Sequence, residues 1–120
     1  MANLVLKTGR RKTAVARATV VKGKGKIMIN NQDLKSYVNN ELLMLRVKEP
    51  LIIADAVGKY DVDVNVFGGG QTSQVDAIRQ AIARSLVEIT GSDELKKRFV
   101  EYDRSLIVAD TRFKEMRKPN

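Results

Sequence analysis

The stretch Tyr60–Ile89, YDVDVNVFGGGQTSQVDAIRQAIARSLVEI, contains a strand pattern, three glycines and a helix pattern in direct succession. Residues 60–67 alternate apolar and polar side chains, which predicts a strand with its valines on the buried face. Apolar residues then recur at helical spacing from about Ser73 to Ile89, so we expect a long amphipathic helix after Gly68–Gly70. The apolar stripe of this helix consists of Val75, Ile78, Ile82, Leu86 and Ile89.

Upstream of this segment the chain is basic and carries the patterns of further strands. Leu4–Lys7 predicts a short strand that Gly9 ends. Over residues 11–21 small apolar residues alternate with residues that include cations, which predicts a half-buried strand with a basic outer face. Lys22–Lys26 alternates lysine with glycine and predicts a turn, after which Ile27–Ile29 returns as the second arm of a hairpin.

Two short helices and a strand are predicted between these arms and Tyr60. Asp33 is placed to cap one helical turn, and Asn39 or Asn40 to cap a second helix over residues 41–48. Pro50 should end that second helix, because proline lacks the N–H that a helix interior requires. Leu51–Val57 then predicts a buried strand.

The C-terminal part of the sequence predicts one more helix, one strand and a basic arm. Gly91 should end the long helix, and Ser92 should cap a last helix. The apolar side of this last helix consists of Leu95, Phe99 and Tyr102. Leu106–Val108 predicts a final short strand, and the residues beyond Asp110 have little to bury.

The composition limits the chemistry that the chain can perform. At 120 residues with 43% hydrophobic side chains it fits a single α+β domain, which we place at residues 1–110, followed by a basic arm at residues 111–120. Cysteine and histidine are absent, which excludes disulfides, thiolate or imidazole metal sites and histidine-based catalysis. No apolar run approaches the length of about twenty residues that a membrane span needs. We expect a soluble, cytoplasmic protein that is not an enzyme and binds no cofactor or metal.

The net charge of +8 is segregated along the chain. Residues 1–30 hold eight Lys or Arg and no acid, residues 31–110 hold ten against thirteen acids, and residues 111–120 hold four against one. The excess positive charge therefore lies at the two ends of the chain. Segregated positive charge creates a directional field that attracts a polyanion, whereas a charge that serves solubility is interspersed. Nucleic acid is the expected partner, in preference to a merely solvated basic face or a membrane surface.

The glycines at Gly68–Gly70 place the unpaired backbone N–H groups of a helix start within reach of an anion. Three interpretations are open: a tight turn only, a site for an RNA phosphate, or a nucleotide site. A nucleotide loop of the Walker type needs a lysine at the helix start, and Gln71–Ser73 offers hydroxyls but no lysine. The missing lysine disfavours the nucleotide site.

A second row of small residues runs along the same helix at Ser73, Ala77, Ala81 and Ser85. Small side chains in a row let another backbone come close. The row predicts either packing against a neighbouring helix or the alanine-lined strand, or contact with a ribose-phosphate backbone. Arg84 lies near the end of the row, where it is either a solvated charge or a phosphate ligand.

The acidic and aromatic residues add little to this prediction. Asp61 and Asp63 invite a metal-binding or acid–base interpretation, but carboxylates two residues apart on the outer face of a strand are usually solvated. The aromatics do not cluster with the cations, unlike the stacking platforms of proteins that read single strands. We therefore expect recognition of folded RNA through its shape and phosphates.

Three groups of motif residues point to one family. The first is Gly9–Arg17, with the sequence GRRKTAVAR, followed by Gly23–Ile27 and Ile29–Asn30. The second consists of Gly68–Gly70, Ser73–Gln74, Ala77, Ala81 and Ala83–Leu86. The third consists of Tyr102–Leu106, Val108–Asp110 and Arg112. Together they resemble the small-subunit ribosomal protein nine family, and the third group is typical of its archaeal and eukaryotic branch.

The resemblance implies a fold similar to the second domain of ribosomal protein five, with helices on a mainly antiparallel sheet and a left-handed β-α-β crossover. It also implies a place in the head of the small subunit, in contact with small-subunit ribosomal RNA and neighbouring head proteins. Family members extend a basic C-terminal tail toward transfer RNA in the peptidyl site. After Arg117–Pro119 the family usually continues with glycine and a further basic run, whereas this sequence stops at Asn120. Contact with transfer RNA is expected only if such a tail is present.

We predict that the rigid domain binds folded ribosomal RNA and that the C-terminal cations anchor an arm between RNA elements. The predicted RNA-binding residues are Arg10, Arg11, Lys12, Arg17, Lys22, Lys24, Lys26, Gly68, Gly69, Gly70, Gln74, Arg84, Arg112, Lys114, Arg117 and Lys118. Two alternatives from other classes are a small phosphotransferase with a glycine-rich phosphate loop and a general nucleic-acid chaperone.

Overall fold

The computed structural model describes residues 5–38 and 40–102, which form a mixed sheet with helices packed against it. In chain order the elements are β1 (Val5–Arg11), β2 (Ala14–Lys22), β3 (Ile27–Ile29), β4 (Gln32–Asp33), α1 (Leu34–Tyr37), α2 (Glu41–Ile53), β5 (Tyr60–Phe67), α3 (Gln71–Thr90) and α4 (Asp93–Tyr102). The strand order across the sheet is β1-β2-β5-β3-β4. Only the pairing of β3 with β5 is parallel among these strands, so the expected α+β class and mainly antiparallel sheet are confirmed.

The strand predicted over residues 11–21 begins later than expected, because the chain reverses at Lys12 and Thr13. Arg11 pairs with Ala14, so these two residues form the tip of a hairpin between β1 and β2. Lys12 adopts a left-handed backbone conformation, with φ of 55°, which a tight hairpin turn requires. The prediction that Gly9 ends β1 is wrong, because the strand runs through this glycine to Arg11.

The hairpin predicted between residues 11–21 and Ile27–Ile29 is wrong, because β5 lies between β2 and β3. Asn30 explains part of this arrangement. Its backbone N–H donates to Val64 O at 2.7 Å, its side-chain Nδ2 donates to Val66 O at 3.1 Å, and its Oδ1 accepts from Val66 N at 2.8 Å. The Asn30 side chain therefore acts like an extra strand residue and ties β3 to β5.

Helix α2 is longer than predicted, and the strand expected at Leu51–Val57 is wrong. Pro50 lies inside the helix, which continues to Ile53, and Ala54 N donates to Pro50 O at 3.0 Å. Pro50 and Leu51 are buried, so packing outweighs the hydrogen bond that proline removes. The cap at Asn40 is confirmed, because its Oδ1 accepts from Leu42 N at 2.8 Å.

The core lies between the sheet and α3. On β2 the side chains of Ala14, Ala16, Ala18 and Val20 are fully buried, as the alternation predicts. The valines of β5 at positions 62, 64 and 66 are buried on the same face, and the predicted stripe of α3 belongs to the same core. Gly91 ends α3 with a φ of 63°, which confirms the predicted stop.

The row of small residues on α3 packs against β1. A Cβ added at Gly9 would lie 2.1 Å from Ala77 O and 2.5 Å from Ala81 N, so helix and strand backbones are in direct contact. Ala77, Ala81 and Ser85 are fully buried. The row therefore packs inside the protein, but on β1 and not on the neighbouring helix or the alanine-lined strand that was predicted. The alternative that a ribose-phosphate backbone lies along it is wrong for these three residues.

The last described helix, α4, lies beside α2. Ser92 Oγ accepts from Leu95 N at 3.1 Å, which confirms the predicted cap. Leu95 and Phe99 are buried, whereas Tyr102 is exposed. The strand predicted at Leu106–Val108 lies outside the described residues. Within the described ranges no helix is long and apolar enough to cross a bilayer.

Candidate nucleic-acid interface

The tip of the β1–β2 hairpin lies directly against the glycine turn that precedes α3. A Cβ on Gly68 would lie 2.3 Å from Thr13 O, and the backbone of Gly68 has a φ of 82°. Gly69, with a φ of 67°, has the same requirement for a left-handed conformation. Only glycine fits this contact without strain, so the sequence places the exposed Lys12 beside the start of α3. We call Lys12, Thr13 and Gly68–Gly70 the hairpin–glycine site.

The start of α3 within this site has the properties of an anion-binding helix end. Gly70 is its N-cap, makes no side-chain hydrogen bond to the helix, and has open space around its Cα. The first turn of α3 contains no acidic residue that would compete with an anion. Backbone N–H groups at such an end carry a partial positive charge, to which Lys12 adds a full one.

Gln74 supports the glycine turn through its side-chain amide. Its Nε2 donates to Gly68 O at 3.1 Å, and its Oε1 accepts from the hydroxyl of Tyr37. Gln71 Nε2 in turn donates to Tyr37 O at 3.1 Å. Burial raises the pKa of the Tyr37 hydroxyl, which keeps it protonated as a donor. Predicted as an RNA ligand, Gln74 thus holds the turn in place through protein contacts.

Arg11 points to the helix side of the sheet and joins a charge cluster there. Arg11 Nε lies 3.7 Å from Asp76 Oδ2, and Arg46 Nη2 lies 2.9 Å from Asp76 Oδ1. The buried Arg79 places its Nη2 2.7 Å from Glu49 Oε1 and its Nη1 3.7 Å from Asp76 Oδ1. Three guanidinium groups thus share two carboxylates, which ties β1, α2 and α3 together.

The other predicted arginines occupy different positions. Arg84 Nη1 donates to Thr8 O at 3.0 Å and so ties α3 to β1. Arg17 is exposed on the sheet face opposite α3, where it pairs with Thr8 and Asn65 in strand register. Arg10 pairs with Val15 in register. The structure therefore places Arg84 among the helices and Arg17 on the opposite face of the sheet.

A second basic surface lies at the other end of β2, where one carboxylate shapes the lysine-rich turn. Asp61 Oδ1 accepts hydrogen bonds from Lys24 N at 3.0 Å, Gly25 N at 3.1 Å and Lys26 N at 3.0 Å. The bonds from Lys26 and Lys24 are the main reason that the pKa of Asp61 lies below its ordinary value. The turn is fixed, and its lysine side chains are exposed.

Sequence reasoning missed both Asp61 as the organiser of this turn and Lys59 as a further member of the surface. Gly23 N donates to Lys59 O at 3.0 Å, which places Lys59 beside the turn. We call Lys22, Lys24, Lys26 and Lys59 the lysine loop. Within the described residues none of these lysines, nor Lys12, takes part in an ion pair of 4 Å or less. The available signal was the position of Lys59 between Gly58 and the predicted strand at Tyr60, where a turn exposes a lysine.

The two basic surfaces are separated by the length of β2. This strand has nine residues, so its ends lie about 26 Å apart at a rise of about 3.3 Å per residue. Lys12 is at one end and Lys22 at the other. The sheet thus presents positive charge at two distant places.

Comparison with known proteins identifies the family. The sequence profile described as ribosomal protein S9/S16 matches residues 9–120. The chain belongs to the ribosomal protein S9/S16 family. It is 45% identical to the small ribosomal subunit protein uS9 of Methanococcus vannielii over 93% of this chain and 84% of that protein. It is 47% identical to uS9 of Methanothrix thermoacetophila over 96% of this chain and 87% of that protein.

Membership of the S9/S16 family confirms the resemblance and its archaeal character, since both of these relatives are archaeal. The family consists of structural ribosomal proteins, so the chain is a structural component of the small subunit and not an enzyme. The phosphotransferase alternative is therefore wrong. The predicted residues of the basic arm, Arg112, Lys114, Arg117 and Lys118, lie within the family match but outside the described residues, as does the predicted domain boundary at 110.

Proposed function

We propose that this protein binds folded small-subunit ribosomal RNA at two separate places, the hairpin–glycine site and the lysine loop. The observation that carries the proposal is the contact of the Lys12–Thr13 tip with the uncapped start of α3. This contact combines a lysine with helix N–H groups, the two features that bind phosphate. Its geometry is set by backbone contacts at glycines, so little order has to be gained on binding.

The lysine loop supplies a second set of phosphate contacts in this proposal. Its turn is fixed by the Asp61 carboxylate, which accepts hydrogen bonds from backbone N–H groups of the turn. The lysine side chains of the turn therefore remain available to bind RNA phosphates. The two sites lie about 26 Å apart, which is too far for both to contact the same few nucleotides. This distance suits a protein that holds two RNA elements at a fixed separation. A structural role in ribosome assembly is the function that this geometry supports.

In this proposal some of the predicted arginines contact RNA directly, whereas others, together with Gln74, position the binding site. Arg17 and Arg10 extend the contact along the sheet from the strands that carry the hairpin. Arg11 and Arg84 hold β1 in place, and Gln74 holds the glycine turn. The two arginines also add positive potential beside the hairpin–glycine site, and Gln74 adds a polar group. Arg112, Lys114, Arg117 and Lys118 form the basic arm that extends the interface.

Three finer proposals follow from the family. The parallel pairing of β3 with β5, joined through α1 and α2, supports a β-α-β crossover like the left-handed one in the second domain of ribosomal protein five. A place in the head of the cytoplasmic ribosome beside neighbouring head proteins is proposed from the same family relation. Contact with transfer RNA in the peptidyl site is proposed only for a chain that carries a longer basic tail.

The test is the salt dependence of binding to a transcript of the small-subunit head RNA. Each phosphate contact that is lost should reduce the log–log slope of affinity against salt by about 0.7 to 0.9. We expect Lys12→Gln to reduce the slope by one contact, and Lys22→Gln combined with Lys59→Gln to reduce it by up to two. Lys96→Gln, on α4 outside both sites, is the matched control for net charge. If Lys96→Gln reduces the salt-dependence slope as much as the other variants do, the two proposed sites are contradicted.

A general nucleic-acid chaperone is distinguished in the same assay. Such a protein should bind an unrelated duplex as tightly as the head RNA at equal salt. The proposal expects tighter binding to the head RNA, because two sites at a fixed distance match only some RNA shapes.

A further inference from the structure

Helix α2 is apolar on two sides, and only one of these sides is covered by the described residues. Val47, Pro50 and Leu51 are buried against the core. On the other side, Leu42 is 72% exposed and Leu45 is 50% exposed. Leucines three residues apart lie on the same side of a helix, and exposed apolar side chains that lie together are typical of a contact surface. We call Leu42 and Leu45 the outer leucines.

The direction of α4 determines which end of this helix lies nearer the outer leucines. Arg98 Nη1 donates to Ile53 O at 3.2 Å, and the hydroxyl of Tyr102 donates to Glu49 Oε2 at 2.9 Å. From Arg98 to Tyr102 the chain advances four residues along α4, while their partners on α2 go back four residues, from Ile53 to Glu49. The two helices are antiparallel at this contact, so the C-terminal end of α4 points toward the N-terminal half of α2.

The spacing along both segments allows an apolar run to reach the outer leucines. Leu45 and Leu42 precede Glu49 by four and seven residues, or about 6 and 10 Å along a helix. Leu106 follows Tyr102 by four residues, which span at most about 14 Å when extended. The run Leu106–Val108 is the longest stretch of large apolar residues after Tyr102. We propose that Leu106–Val108 packs on Leu42 and Leu45 and covers the outer side of α2.

This docking would determine where the basic arm leaves the body of the protein. The N-terminal end of α2 lies close to the start of α3, because Gln71 Nε2 donates to Tyr37 O three residues before the cap Asn40. The cations that follow Leu106–Val108 would then emerge on the side of the hairpin–glycine site. The docking itself does not depend on RNA binding, whereas this consequence for the arm rests on the proposed function.

The chain contains no cysteine, so a single introduced thiol reports directly on its own coverage. The experiment measures the alkylation rate of Leu45→Cys in the full chain, with Val57→Cys as the control in an exposed turn. Docking should slow alkylation of Leu45→Cys at least about tenfold relative to the control, because burial of leucine-sized groups holds the site closed. Adding Leu106→Asp and Ile107→Asp should restore the control rate. Equal rates for both thiols in the otherwise unchanged chain would overturn the docking.

A second measurement excludes other occupants and does not depend on the stability of the aspartate variants. Under mild oxidation Leu45→Cys with Ile107→Cys should form an intramolecular disulfide, whereas Val57→Cys with Ile107→Cys should not. Protection of Leu45→Cys that rises with protein concentration would assign the surface to a second copy and overturn the proposal. RNA affinity of the same variants is measured separately. A chain that protects Leu45→Cys but ignores head RNA would contradict the proposed function and leave the docking intact.

Discussion

Gly9 of β1 and Ala77 of α3 lie in direct backbone contact. A Cβ at Gly9 would lie 2.1 Å from Ala77 O, where real carbon atoms do not approach. The contact exists because α3 presents small residues on the side that faces the strand, and Ala77 and Ala81 are fully buried there. The position of β1, and of the hairpin tip that it carries, therefore depends on one glycine.

We expect Gly9→Ala to lower the free energy of unfolding by about 1 to 3 kcal/mol, because the methyl group would meet backbone atoms of α3 that cannot move aside. Urea unfolding monitored by circular dichroism measures this change. Thr8→Ala, the neighbouring position in the same strand, is the control and should cost less. A fully stable Gly9→Ala variant would show that β1 does not rest on α3 as closely as described.

The charge cluster around Asp76 predicts a second stability effect. Asp76→Ala would remove the carboxylate that lies within 4 Å of Arg11, Arg46 and Arg79 alike. Because Arg79 is buried, we expect a loss of about 3 kcal/mol in the free energy of unfolding.

The matched control for the Asp76 variant is Glu88→Ala. Glu88 pairs with Lys7 at 3.6 Å, but both side chains are substantially exposed, so this change should cost at most about 1 kcal/mol. Urea unfolding in dilute salt measures both variants. Equal effects of the two changes would argue that the Asp76 cluster contributes no more than a surface ion pair.

Patterns within single elements predicted much of this fold from the sequence. The alternation in residues 60–67 and the periodicity of α3 are local properties of the chain, and both elements were confirmed. The errors arose where contacts with residues distant in sequence determine the local structure. Pro50 continues α2 because burial of the helix outweighs a lost hydrogen bond, and no local pattern reports that burial.

The candidate site was only partly predictable for the same reason. The glycines at Gly68–Gly70 and the cation Lys12 were identified separately, but their contact through Thr13 O depends on the pairing of β1, β2 and β5. Asp61 was assigned to a solvated face, whereas its carboxylate binds three backbone N–H groups that lie more than thirty residues away in sequence. Sequence spacing carries no information about such long-range hydrogen bonds.

The role of Asp61 predicts a pH dependence. Its pKa in the folded protein lies below the ordinary value because the backbone N–H groups of Lys26 and Lys24 favour the charged form. The carboxylate therefore stabilises the fold above the pKa of about 3.9 that it has in the unfolded chain, and this contribution is lost as pH falls through the lower folded pKa. We expect Asp61→Asn to be less stable than the unchanged protein at pH 7, and the difference to shrink on acidification below pH of about 4.

Urea unfolding at a series of pH values measures the Asp61 effect. Asp63→Asn, on the same strand two residues away and exposed, is the control for loss of one surface carboxylate. A stability difference between the Asp61→Asn variant and the unchanged protein that stays constant from neutral to acidic pH would contradict a role for the charge. The lysine loop should also exchange its amide hydrogens faster in Asp61→Ala, which lacks any acceptor.

Gly70 allows the helix start to be tested with effects of opposite sign on stability and on RNA binding. Gly70→Asp should raise the free energy of unfolding by a few tenths of a kcal/mol, because aspartate caps helices better than glycine and nothing lies within 4 Å of the added Cβ. The same carboxylate would occupy the place proposed for an RNA phosphate. Affinity for head RNA should therefore fall at least about tenfold through like-charge repulsion.

Gly70→Asn, which has nearly the same size and capping ability without the charge, should keep most of the affinity. If both variants bind RNA as the unchanged protein does, no phosphate lies at the start of α3; if both lose affinity equally, the side chain blocks close approach and charge is not the cause.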